Sequence, residues 1–452
     1  MGKGLTAIRS LQRKHMLDSR IREHVKTSLQ GIAKRAKESK KYRFGNLYRM
    51  INRISLMDAW LDINRDAASG VDKVTAGEYE KNLVENINDL EKRLKEKRYR
   101  AQLVRRVYIP KSKTKLRPLG IPTLEEKVVQ LAAAKILVAI FEQDFLSRSW
   151  GYRLDIGALD AVKDITHNLM RGKFSYIVDA DITSFFDNIN HEWMVRMLEQ
   201  RINDKAFIGL IKKWLKAGIL DDNKVTHPVK GTPQGGIVSP VLSNIYLHYV
   251  LDLWFEKIIK PKSEGQAYLC RYADDFVCAF QYKREADSFY KELDKRLKKF
   301  GLELSKEKTR VISFSRFRKE ERTSFDFLGF EFRWGVSRKG NDIIKKKTAK
   351  KKFKLSMTKF TEWIKKSRNK KINKIFYSLN NKLRGYYNYY GVIGNMKRLM
   401  DFFNGAMRLL YKWLNRRSQR RSYNFTGFRE LCKHFKVLRP RIVERPVSAF
   451  AQ

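Results

Sequence analysis

Residues 267–280 read AYLCRYADDFVCAF, and two adjacent acids, Asp274 and Asp275, break a mostly apolar run. Ala267, Tyr268, Leu269 and Cys270 lie on one side, with Val277, Cys278 and Ala279 on the other. The pattern predicts two buried strands joined by a tight turn that carries both carboxylates. Taking two carboxylates out of water is costly without a counter-charge. A hard divalent cation such as Mg²⁺ supplies one through oxygen ligands. An ordinary Asp-Asp hairpin turn would read the same way, so the string needs company before it means chemistry.

Part of that company lies upstream, where residues 176–187 read YIVDADITSFFD. Side chains alternate along a strand, so Asp179 and Asp181 share a face. Asp181 stands at the strand end and is the better metal candidate. Asp179 and Asp187 read as strand-edge hydrogen bonders or a helix N-cap. Two-metal phosphoryl or nucleotidyl transfer needs carboxylates converging from separate strands, and Asp181, Asp274 and Asp275 would supply them. Residues 231–240 read GTPQGGIVSP and run into an apolar helix over 241–253. Glycines permit close backbone approach to a ligand; a plain loop entering a buried helix is the bland alternative.

The whole chain has 452 residues, 43% of them hydrophobic and 12% aromatic, enough for a large core. That excludes a wholly disordered chain, and the length suggests two to four domains on a prior of roughly 100–200 residues each. The 128–140 apolar run is too short for a bilayer, which needs about 20 residues, so no membrane partner is expected. No apolar signal segment opens the chain. Cys270, Cys278 and Cys432 form no metal-spaced cluster, which points to a reduced, cytoplasmic setting. The formal charge is +48, which attracts polyanions over long range. It is uneven: residues 1–50 hold 14 Lys+Arg against 3 Asp+Glu, and residues 341–452 hold 30 against 5. Two cationic ends flank a less charged body, as two grips for nucleic acid or two solvated tails would.

The coarse reading is α+β with a nearly all-α C-terminal quarter. Apolar spacing predicts a helix near 76–98. Strands over 105–109 and 116–121 should form a hairpin with a basic tip at 112–115, followed by a helix over 125–141. Further strands are expected over 176–182 and 267–280, and a helix over 285–300. A strand over 325–334 with a Gly turn after it should precede continuous helix beyond 345.

The three strings, in this order behind a basic hairpin, resemble the reverse transcriptase family. Residues 301–309 (GLELSKEKT) look like the motif after the catalytic turn, and residues 327–330 (FLGF) like the primer-grip hairpin. The resemblance is closest to bacterial group II intron reverse transcriptase/maturases. It extends upstream through residues 68–72 (ASGVD), and downstream through Leu379-Asn380, residues 383–390 (LRGYYNYY) and residues 412–421 (KWLNRRSQRR).

The resemblance implies a right-hand polymerase, α+β, with an α-helical thumb. Its expected parts are a basic N-terminal extension (1–75), fingers and palm (76–335), a thumb or maturase-specific domain (336–415) and a short basic nucleic-acid-binding segment (416–452). Asp181, Asp274 and Asp275, with the Ile182 carbonyl, would hold two Mg²⁺ ions. Lys111 and Arg117 would clamp the dNTP phosphates, Phe186 would block a ribose 2′-OH, and Gln234 would line the nascent base-pair pocket. Lys308 is a candidate general acid for pyrophosphate. Arg416, Arg417, Arg420 and Arg421 would touch RNA.

The implied partners are group II intron RNA, an RNA template with a DNA primer, target DNA and dNTPs, with the protein cytoplasmic and nucleoid-associated when on DNA. The implied function is RNA-directed DNA polymerisation with help to intron splicing and retrohoming. A host-domesticated enzyme for repair or phage defence, and a non-catalytic splicing factor, are the alternatives. Two departures stand out. Most relatives carry a Pro-Gly-Arg-Ser-like string where this chain has Leu154-Asp155-Ile156-Gly157. No Cys-pair/His-Asn-His endonuclease module precedes Gln452, so second-strand cleavage is not expected.

Overall fold

The computed structural model describes residues 2–110, 116–221, 224–318, 320, 323–417 and 422–444, with side chains from residue 18 onward. In chain order the strands are β1 (Val104–Pro110), β2 (Leu116–Ile121), β3 (Tyr176–Asp181), β4 (Ile219–Asp221), β5 (Lys224–Thr226), β6 (Ala267–Tyr272), β7 (Asp275–Phe280), β8 (Arg310–Ser313), β9 (Ser324–Phe327), β10 (Phe330–Val336) and β11 (Asp342–Thr348).

A four-stranded antiparallel sheet, β6-β7-β3-β8, is the centre of the molecule. Its strands read as nearly continuous apolar runs because both faces are covered. Val178, Ala180, Phe276 and Cys278 face a large core built with the helices Leu124–Phe141, Ser239–Leu247 and Lys283–Lys299. Ile177, Cys270, Val277 and Ala279 face a second core closed by the helix Ala158–Arg171 and by β9–β11. A second sheet, β2-β1-β4-β5, stands beside the central one, with β1 and β4 parallel.

The C-terminal part packs the helices Lys350–Ser367, Ile372–Tyr390, Met396–Leu414 and Phe425–His434 around Phe360, Leu379, Leu383, Phe402 and Leu410. The segment after the last helix runs along the helix Ile372–Tyr390 to β11. Phe435 stacks on Phe376, Leu438 N–H donates to Asn380, and the buried Lys346 of β11 donates to Glu444 at 2.8 Å. Among the described residues no helix is long and apolar enough to cross a membrane.

The hairpin β1–β2 forms as expected, Arg117 facing Ile109; its tip at 112–115 lies outside the described residues. Three sequence expectations need correction. The 76–98 helix is two, Ala76–Lys81 and Leu83–Lys95, because Asn82 leaves helical backbone (φ −120°, ψ 36°). The strand expected over 325–334 is a hairpin reversing at Leu328 (φ 50°) and Gly329 (φ 81°). Residues 342–348 are a strand rather than helix, since Ile344, Lys346 and Thr348 alternate into the core against β10. Continuous helix begins only at Lys350.

Candidate active site

The antiparallel register of β3 and β7 sets Asp181 opposite Asp275. Asp274 occupies the two-residue turn with Ala273, whose φ is +55°. Two acids from adjacent strands and a third from the turn therefore open at one end of the sheet. Ile182 follows β3 and bridges to Leu304. In that bridge the flanking residues exchange the hydrogen bonds, Thr183 N–H to Glu303 and Ser305 N–H to Asp181. The carbonyl of Ile182 is thereby left out of the ladder, available as an oxygen ligand.

The electrostatics are those of crowded like charges. The carboxyl of Asp275 is pushed up to about 6, by desolvation although its side chain reaches the surface, and then by the charges of Asp274, Asp181 and Asp179. Asp179 also rises to about 6, through burial, although Arg310 of β8 pairs with it at 3.5 Å and opposes the shift. It is thus a cross-strand partner of Arg310 on an interior strand, neither at a sheet edge nor a helix cap. Lys308 contacts the Asp181 carboxylate, and this hydrogen bond raises the pKa of the ammonium. The donors are all oxygen, the chemistry that a hard cation takes. Among the described residues, however, no three of these side chains close on one point as a ready cage.

Beneath the turn lies a residue to which the sequence reading gave no role. Arg271 is fully buried, and its five N–H donors are all matched. Nε and Nη2 donate to Asp252 at 2.7 and 2.6 Å, Nη1 to Asn244 and the Ala273 carbonyl at 3.1 Å each, and Nη2 to Ser149 at 2.5 Å. The acid-bearing turn is thus held from below by a paired guanidinium. The available signal was weak: Asp252 and Arg271 are each a lone charge inside an apolar stretch, and such charges are buried only when partnered.

The glycine-rich loop closes the side of the cleft. Gly231 donates to Ile189 at 2.7 Å, Thr232 to Phe186 at 2.8 Å, and Gly120 of β2 to Gln234 at 2.6 Å. Gly235 is required as glycine, because its φ is +115° and a Cβ there would sit 2.5 Å from the Gly120 oxygen. Gln234 donates to Asp187 at 3.3 Å, so Asp187 is a side-chain acceptor and not a cap. Gln234 and Asp187 line a cleft of about 310 Å³ with Arg106, Gly120 and Lys230. Phe186 is half-buried against the core and edge-on to Phe185.

Arg117 lies exposed on β2, and its charge reaches Tyr152, as does that of Asp274. Lys111 lies outside the described residues. Arg416 and Arg417 are far along the chain at the end of the helix Met396–Leu414. Arg416 caps the Trp413 ring at 5.4 Å, and Lys365 and Arg368 lie at 5.2 and 5.3 Å from that ring. Arg417 donates to the Lys370 carbonyl at 2.8 Å. Arg420 and Arg421 lie outside the described residues.

Comparison with known proteins agrees with this layout. Residues 109–332 match the family described as reverse transcriptase (RNA-dependent DNA polymerase), and residues 351–429 match the group II intron maturase-specific domain. The chain is 30% identical to the group II intron-encoded protein LtrA of Lactococcus lactis subsp. cremoris, over 70% of this chain and 65% of that protein. It is 32% identical to protein YkfC of Escherichia coli (strain K12), over 46% of this chain and 62% of that protein. A putative COX1/OXI3 intron 1 protein of Saccharomyces cerevisiae is 33% identical over 40% of this chain and 21% of its own length. The chain thus spans less than two thirds of these relatives. With the polymerase match followed directly by the maturase match, the chain belongs to the family of group II intron-encoded reverse transcriptase/maturases.

Proposed function

We propose that the protein is an RNA-directed DNA polymerase of a group II intron, which binds the intron RNA, assists its splicing and copies it into cDNA. In this reading β1, β2, β4 and β5 belong to the fingers, the central sheet is the palm, and the helices from Lys350 form the thumb. Residues 1–75 would be the RNA-gripping extension, 76–335 the fingers and palm, 336–415 the thumb and 416–452 a basic tail segment. The observation that carries the reading is the register pairing Asp181 with Asp275 beside Asp274, next to the unspent Ile182 carbonyl.

Asp181, Asp274, Asp275 and the Ile182 carbonyl would hold Mg²⁺. The cation would supply charge neutralisation at the primer 3′-oxygen and at the triphosphate. The crowding that raises the Asp275 carboxyl is relieved by such a charge. The chain itself orients the substrates. Arg117 would fix phosphate oxygens from the fingers side. The Phe186 ring would exclude a 2′-OH, and Gln234 would border the forming base pair, held there by Asp187. Lys308, charged beside Asp181, would keep a proton at Nζ for the departing pyrophosphate. The cationic ends would carry the intron RNA through phosphate contacts.

The test is primer extension on an RNA template with Mg²⁺, together with splicing of the intron RNA, for wild type and Asp274→Asn. Extension by wild type and none by the variant, with RNA affinity kept within a few-fold, is expected. Comparable extension by Asp274→Asn would refute the site. Splicing without any extension by wild type would leave the non-catalytic splicing factor.

A further inference from the structure

We infer that Tyr152 is a stacking platform for a nucleobase of the base pair forming at the acids. This inference rests on the polymerase reading above. Its starting point is backbone strain. Tyr152 is a bulky residue in the left-handed region, φ +56°, where such side chains are outliers. A strained conformation persists only where its surroundings over-determine it, and such outliers cluster at functional sites.

Both neighbours of Tyr152 are pinned. Gly151 presses on the catalytic turn so closely that a Cβ would stand 2.4 Å from the Ala273 nitrogen. Its carbonyl accepts from the buried Asn244 at 2.6 Å. Arg153 donates to Glu142 through Nε and Nη2, and to the carbonyls of Leu146 and Ser149 at 2.9 and 2.6 Å. Between these anchors the side chain is only half covered: Tyr152 is 51% exposed. The partial burial and the Asp274 charge raise its phenol while the Arg117 charge opposes them. Next to it Leu154 is 68% exposed. An exposed aromatic side chain thus stands one residue from the glycine that abuts the acid-bearing turn. Every base offers a π-face to such a ring, whatever the sequence being copied.

The base belongs either to the template or to the incoming nucleotide, and the experiment separates the two. Single-nucleotide extension kinetics and unfolding midpoints are measured for wild type, Tyr152→Phe and Tyr152→Gly. Glycine relieves the left-handed strain, so the Tyr152→Gly midpoint should lie at or above that of wild type. Its kcat/KM should fall about tenfold or more, with Tyr152→Phe losing several-fold less. On a template abasic at the copied position, the wild-type to Tyr152→Gly ratio approaches one if the ring carries the template base. It persists if the ring carries the base of the incoming nucleotide. Unchanged kcat/KM in Tyr152→Gly would overturn the inference. So would a midpoint that falls together with activity, since the ring would then only be packing. No extension by wild type would instead remove the polymerase reading, and the inference with it.

Discussion

Arg271→Met tests whether the acid-bearing turn is held from below. The substitution keeps the side chain long and apolar but removes all five donors. Asp252, 2% exposed, is left as a buried carboxylate whose nearest remaining partner is the largely neutral His248 at 4.0 Å. Removing one partner of a buried pair costs about 3–5 kcal/mol. The acceptors on Asn244, Ser149 and Ala273 lose bonds too, but these share one network and do not add independently. The expected loss in unfolding free energy is therefore about 4 kcal/mol, read by urea denaturation. Replacing both partners, Arg271→Met with Asp252→Leu, removes the stranded charge, and such apolar swaps are often neutral or stabilising. Most of the stability should return. Activity should not follow it, because the Ala273 carbonyl still lacks the Nη1 donor that fixes the turn. Primer extension should stay at least tenfold down, since small misplacements of reacting groups are expensive. An Arg271→Met protein within about 1 kcal/mol of wild type would refute the energetic reasoning, which rests on the cost of a broken buried pair. Full extension by the double variant would refute the positioning role.

Phe186→Val should raise rNTP relative to dNTP incorporation, as measured by competitive single-nucleotide addition; an unchanged ratio in an active protein would mean that the ring only packs against the core. Replacing Lys365, Arg368 and Arg416 by Ala should weaken structured-RNA binding and flatten its salt slope by roughly 2 units if most of them meet phosphate. Equal slopes would make the group around Trp413 a solvated face. His248 is held down to about 4 by burial, against the usual 6.5. A depressed imidazole contributes stability that is complete above pH 6.5 and is lost as pH falls through that window towards 4. Between pH 7 and pH 4 wild type should lose up to about 3 kcal/mol more than His248→Gln, as read by chemical denaturation at each pH.

The acid turn, the β1–β2 hairpin and the glycine loop were legible in the sequence because each is a local pattern. Alternation, a tight turn and the need for φ > 0 are written within a few residues of one another. Periodicity ran one strand through Leu328–Gly329, because a leucine in the left-handed region gives no turn signal; only the resemblance of residues 327–330 to a primer-grip hairpin pointed to the reversal. β11 was missed because its buried Lys346 looks like a surface charge until Glu444 is brought to it from 98 residues away. The same reason hides Arg271, whose partners lie up to 122 residues distant in the chain.

By itself the sequence determined which residues could do chemistry: three acids in apolar strands, a glycine-rich entry to a helix, and a net charge suited to nucleic acid. Only the tertiary structure decided how they are held. It set the register that faces Asp181 to Asp275, left the Ile182 carbonyl free, matched every donor of Arg271 and forced Tyr152 into its left-handed display. Short-range periodicity determines strands and turns, whereas pairing of buried charges and backbone strain depend on atoms that meet only when distant segments close into one core.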